Sequence, residues 1–261
     1  MGIIEQGKFL EFFAFILLLI IVLIHVALAK RGIVPRIRRL PALDAIEEAV
    51  GRAAEMGRPV VFSTGWGGAG LYSDRGPSHM AGISALDYAA RIAARTGAKL
   101  IACLAWPELV PIAEDTVRQA YLSEGKLETY DPHSIRFISS YQFAYSLGYM
   151  GVLLKEKAAA NIYIGTAYGE VLNIVETGNT VGAVQIGGIY DVRNLPMMVA
   201  VCDYFLIGGE LFAASAYLSK EPTMIATTGA GDAWKVITIM AMILGALLTI
   251  ATVNWTWIFN L

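Results

Sequence analysis

Val60-Val61-Phe62-Ser63-Thr64-Gly65-Trp66-Gly67-Gly68-Ala69-Gly70 is a short apolar run that breaks into four glycines. Apolar throughout and ended by glycine, it reads as a strand buried on both faces, as in a parallel sheet. Runs of similar length follow at Lys99–Ala105, Ile135–Ser139, Asn161–Gly165, Ala183–Ile186 and Tyr204–Ile207. Helical patterns lie between them at Met80–Arg95, Glu108–Leu122, Tyr141–Lys157, Glu170–Glu176, Leu195–Cys202 and Glu210–Ser219. Strand and helix in alternation imply right-handed βαβ units. The expected class is α/β, a doubly wound, mostly parallel, Rossmann-like sheet over residues 59–228. Strand order is not readable from these runs.

Outward from this domain the chain becomes strongly apolar. Its hydrophobic share is 56%, above the usual ~45–50%, and two windows carry the excess. Residues 9–29, FLEFFAFILLLIIVLIHVALA, match the ~20 apolar residues needed to cross a bilayer. Ala27-Leu28-Ala29 resembles a signal-peptidase site, but the long apolar core and weakly basic start favour a retained anchor. Lys30, Arg31, Arg36, Arg38 and Arg39 follow at once. Such a cationic flank marks the cytoplasmic side, and it could also meet anionic headgroups. Pro41 then suits the first turn of an amphipathic helix ending near Gly57, within a juxtamembrane segment at 30–58.

The second window, 234–254, begins WKVITIMAMILGALLTIATV and is charge-free from Val236 on. Trp234, Trp255 and Trp257 suit interfacial anchors. Ala241, Gly245 and Thr249 make a small-residue stripe that would let another helix approach, within the chain or between subunits. Residues 229–233 read as a Gly-rich joint with Asp232 capping the following helix. The expected topology has two spans in the cell membrane, a cytoplasmic domain, and both termini (1–8 and 255–261) outside.

In an open α/β sheet, ligands bind beyond the carboxyl ends of the strands. The first strand offers Ser63, Thr64, Gly65, Gly67 and Gly68, followed by Asp74, Arg75 and His79. Glycine amides could cradle a small anionic or nucleotide-like ligand. The spacing G-x-G-x-x-G does occur, as GWGGAG from Gly65, but the next helix is expected only near Met80. Asp74, Arg75 and His79 could clamp a substrate, or simply form a solvated loop with a local ion pair. Glu108, Glu170 and Glu210 open helices, where a carboxylate offsets the positive dipole end.

The residues assign no catalytic role and leave open whether the chain is an enzyme. No metal-ligand spacing occurs, and no metal or cofactor is assigned. Cys103 and Cys202 sit in apolar runs as reduced core residues. A net charge of −2 points away from nucleic acid as partner.

Two resemblances bear on function. Ala226-Thr227-Thr228-Gly229-Ala230-Gly231-Asp232-Ala233-Trp234 is similar to the carboxyl-terminal signature of ribokinase-like sugar kinases, which would imply Asp232 as a catalytic base. The match covers nine residues and runs into a membrane span, so the joint explains them better. Across its length, through Ser63–Gly76 and Asp203–Pro222, the chain resembles an uncharacterised family of two-span prokaryotic membrane proteins with an intervening α/β domain. That resemblance implies architecture and no activity. The leading expectation is an oligomeric assembly or scaffold protein in the bilayer. The alternative is a tethered enzyme or sensor with a small anionic ligand at the glycine loop.

Overall fold

The structure, a computed structural model, describes residues 8–33, 40–219 and 221–250. Arg36, Arg38, Arg39, Trp255 and Trp257 lie outside the described residues. The chain forms two compact units, one holding the long terminal helices and the other running from residue 38 to 218.

The first unit pairs α1 (Phe9–Lys30) with α9 (Pro222–Ile250). Both are long and apolar enough to cross a membrane. Their outward faces carry Phe13, Phe15, Leu23, Met240, Met242 and Leu247, all exposed, as lipid-facing residues would be. Small residues Ala29, Ala226 and Ala230 are buried in contrast. Helix α9 starts earlier than expected and runs unbroken through residues 229–233. Asp232 therefore lies on a helix flank, paired with Lys235 at 2.8 Å, and caps nothing. The glycines there make no loop, so the kinase-like signature has no anion hole. Gly245 is half-buried, whereas Ala241 and Thr249 are exposed.

The second unit is α/β. After α2 (Pro41–Met56) come β1 (Val60–Gly65), α3 (Gly76–Thr96), β2 (Leu100–Leu104) and α4 (Val110–Ser123). Then follow β3 (Ile135–Phe137), α5 (Gln142–Glu156), β4 (Ala160–Thr166) and α6 (Glu170–Thr180). The unit ends with β5 (Val184–Ile189), α7 (Leu195–Val201), β6 (Tyr204–Ile207) and α8 (Glu210–Ser219). All neighbouring strands pair in parallel, in the order β3-β2-β1-β4-β5-β6. This is the Rossmann order, with its direction reversing between β1 and β4.

Alternate residues of each strand feed two cores, because successive strand side chains point to opposite faces. Val60, Phe62, Leu100, Leu104, Ile162 and Ile164 meet α2, α3 and α4 on one face. Val61, Ile101, Cys103 and Tyr163 meet Tyr145 and Tyr149 of α5, Ile174 of α6 and Met198 of α7 on the other. Helix α2 starts on Pro41 and stops at Gly57, whose φ of +63° ends the helix in the left-handed region.

Two elements differ from expectation. Helix α3 begins at Gly76, with Pro77 in its first turn, because proline's fixed φ and missing N–H suit that position. Strand β5 continues through Gly187 and Gly188 to Ile189, beyond the run expected to end at Ile186. A Cβ on Gly187 would lie 2.7–2.8 Å from Phe205, Cys202 and Met198. These glycines serve close packing within the sheet, and the strand's carboxyl end moves on to Tyr190–Arg193.

Candidate functional site

The strand order places the glycine loop at the topological switch point, between the carboxyl ends of β1 and β4. The two strands pinch together there. A Cβ on Gly65 would lie 1.7 Å from the Thr166 carbonyl oxygen, and one on Gly165 would lie 2.2 Å from that of Thr64. The pairing register also shifts between Ser63 and Gly65. Gly65, Gly67 and Gly68 have φ of +80°, +54° and +79°, so the loop folds back in a conformation that side chains resist. It lands on β4's exit: Cβ atoms at Gly67 and Gly68 would meet Thr166 at 2.2 Å and Tyr168 at 2.7 Å.

Hydrogen bonds fix the loop from inside. The Gly65 amide donates to Ser63 Oγ at 2.8 Å, and that hydroxyl bonds the Tyr145 hydroxyl on α5. The Trp66 amide donates to Tyr163 Oη at 3.2 Å. Trp66 stacks on Trp106, meets Tyr168 edge-on, and donates from its indole to the Ser140 carbonyl at 2.8 Å. The Trp106 indole in turn donates to the Trp66 carbonyl at 2.8 Å. Loop positions after β1, β2, β3 and β4 are thereby joined.

Two carboxylates border this loop. Glu108 Oε1 accepts the Leu71 amide at 3.1 Å. It also lies 1.9 Å from where a Gly70 side chain would begin. Glu170, buried at the start of α6, accepts from the Tyr168 amide at 2.9 Å and from Gln142 at 2.7 Å.

His79 sits in the first turn of α3, fully buried. Its Nε2 lies 2.9 Å from the Ala69 carbonyl oxygen and 3.3 Å from Thr166 Oγ1. Burial holds the imidazole below its ordinary pKa, against a smaller upward pull from the Ala69 carbonyl and Glu108. Among the described residues, the buried side-chain atoms without a hydrogen-bond partner are Thr64 Oγ1 and His79 Nδ1. Both belong to this crevice.

Arg75 is not a local partner of Asp74 alone. Asp74 is exposed and 3.8 Å away, whereas Asp191 beyond β5 accepts from Arg75 Nη1 at 2.9 Å. Arg193 also grips Asp191, at 2.6 Å through Nη2 and 3.0 Å through Nε. Both guanidinium groups lie over the Tyr168 ring. Arg193, with help from Arg75, holds the Asp191 carboxyl well below the usual carboxylate range.

The structure brings Ser63, Thr64, Gly65, Gly67, Gly68, Arg75 and His79 together at the switch point and leaves Asp74 at the surface. Asp191 and Arg193 escape a sequence reading because the strand before them is expected to stop at Ile186, ahead of Gly187-Gly188. Elsewhere, a cleft of about 460 Å³ lies at the amino end of β2, beside Gly97, Leu100, Tyr121, Lys126 and Asp131. Cys103 and Cys202 are free thiols, each pushed up to about 12 by burial. No group of three or more potential metal ligands gathers among the described residues.

No curated protein and no solved structure matches the chain. A family model described as a domain of unknown function, DUF6754, matches residues 1–260. Two apolar helices flanking a parallel α/β domain are therefore the architecture of a DUF6754 protein, and the chain belongs to that family.

Proposed function

We propose that this chain is a membrane-anchored assembly protein whose copies associate through the outer face of α5. Helices α1 and α9 supply the anchor, and the domain lies on the cytoplasmic side. The basic residues from Lys30 to Arg39 support that orientation, because cationic flanks are retained in the cytoplasm. The termini then fall outside.

The observation that carries the assembly reading is the composition of α5. From Gln142 to Leu154 it has no charged residue. Its inner face buries Tyr145, Tyr149 and Leu153. Its outer face exposes Phe143 (78%), Leu147 (68%) and Leu154 (50%). A helix covering one side of a soluble domain normally turns polar residues outward, and one apolar all round is normally covered. Confinement to a bilayer raises the effective concentration of copies, so a modest apolar interface can hold them.

Cysteine crosslinking in membranes tests this reading. With Cys202 replaced by Ser, Phe143→Cys or Leu147→Cys should yield a crosslinked homodimer. No dimer from either position would contradict it.

A further inference from the structure

We propose that Glu108 acts as a built-in counter-anion that closes a latent oxyanion site at the switch point, and that a small phosphoryl-type oxyanion can replace it. The proposal is separate from the α5 interface and has its own readout.

Four observations converge. Glu108 Oε1 already makes the contact an anion would make, accepting the Leu71 amide at 3.1 Å in the space beside Gly70. Its carboxylate comes from the short turn Pro107–Leu109, at the end of a flexible side chain. Thr64 Oγ1 and His79 Nδ1 belong to residues with no exposed surface, and neither atom has a hydrogen-bond partner. Leaving such groups unmatched costs about 1–3 kcal/mol each, so natural folds rarely keep two in one place without use. They stand at the end of β1 and in the first turn of α3, the two sides of the glycine loop. Finally, α3 is 21 residues long, and its amino end favours negative charge.

The self-occupied state explains the glycine at position 70. Glycine at 70 is required for the carboxylate to lie down, and the Leu71 amide then has its acceptor. Replacement by an oxyanion would keep that amide bonded, with the Thr64 hydroxyl as a further donor. Glu108 would swing outward from Gly70. No covalent step is involved.

The test is calorimetric titration of the full-length protein in mild detergent with inorganic phosphate, at constant ionic strength set with chloride. Glu108→Gln keeps the size of the side chain and removes its charge. It should bind phosphate at least tenfold more tightly than the wild type, and Thr64→Val added to it should take the gain away. A folded Glu108→Gln protein that binds no better than the wild type overturns the proposal. If that variant loses its near-ultraviolet tryptophan signal, wild-type tryptophan fluorescence decides instead, since Trp66 and Trp106 line the loop. A saturable phosphate response weakened by Thr64→Val supports the site, and no saturable response overturns it.

Discussion

Glu108 lies where Gly70 would carry a side chain: its Oε1 is 1.9 Å from that Cβ position and takes the next residue's amide. The clash at Gly65 differs in kind, because there the obstacle is the Thr166 backbone at 1.7 Å and φ is +80°. A flexible carboxylate can move aside, whereas paired strands cannot. Gly70→Ala should therefore cost about 1–2 kcal/mol, the worth of the displaced charge-assisted hydrogen bond. Gly65→Ala should cost about 2–5 kcal/mol, from left-handed strain and overpacking together. Thermal melts of the two variants check the order; equal losses would remove the distinction.

Asp191 joins two arginines across loops that are far apart in sequence. Its folded pKa is depressed, so its contribution is fully present above the unfolded value of about 4 and is lost as pH falls through the folded one. Asp191→Asn should cost about 1–3 kcal/mol at neutral pH, as expected for hydrogen bonds to a charged group. The gap between variant and wild type should close on acidification below about pH 4. A gap that stays constant with pH would mean that the ion pair contributes nothing.

His79 titrates in the opposite direction for its class. Burial lowers its folded pKa below the ordinary 6.5, so the unfolded chain takes up the proton first. Stability is then fully present above about pH 6.5 and falls as pH drops below it, by at most about 1.4 kcal/mol per pH unit. His79→Gln keeps a donor toward Ala69 and should flatten the stability profile between neutral pH and pH 5. Parallel profiles for variant and wild type would show that another group is responsible.

Beneath the sheet, Tyr149 Oη donates to Asn161 Oδ1 at 2.7 Å and Asn161 Nδ2 donates to Gln185 Oε1 at 2.7 Å. All three residues are buried. Asn161→Ala leaves a hydroxyl and an amide oxygen without partners, which should cost about 2–4 kcal/mol. Combining it with Gln185→Ala should cost less than the sum of the two single changes, since the second orphan is then gone. Strict additivity in denaturation experiments would contradict the network.

The parallel sheet was legible because β1 and β2 are apolar on both faces, in Val60–Phe62 and Leu100–Leu104. Both long helices were legible from apolar length, though α9's polar first turns hid its true start at Pro222. The switch point was not legible, since strand order depends on which crossovers pack, and no local pattern encodes that. The candidate set was half visible. Thr64 and His79 lie near the glycines in sequence, whereas Asp191 and Arg193 reach the crevice only because β5 carries two glycines in its interior. In sequence Glu108 reads as a helix opener with a dipole role. Its contact with Gly70 arises because β2 lies beside β1.

Self-association through α5 is the proposed basis of assembly. Native mass measurement of the full chain in mild detergent tests it most directly. The wild type should appear as a multiple of the 28.2 kDa chain, and Leu147→Glu should reduce it to a single copy with its melting transition retained. A wild type that runs as a single copy, or a Leu147→Glu protein that keeps the full assembly, would contradict the claim.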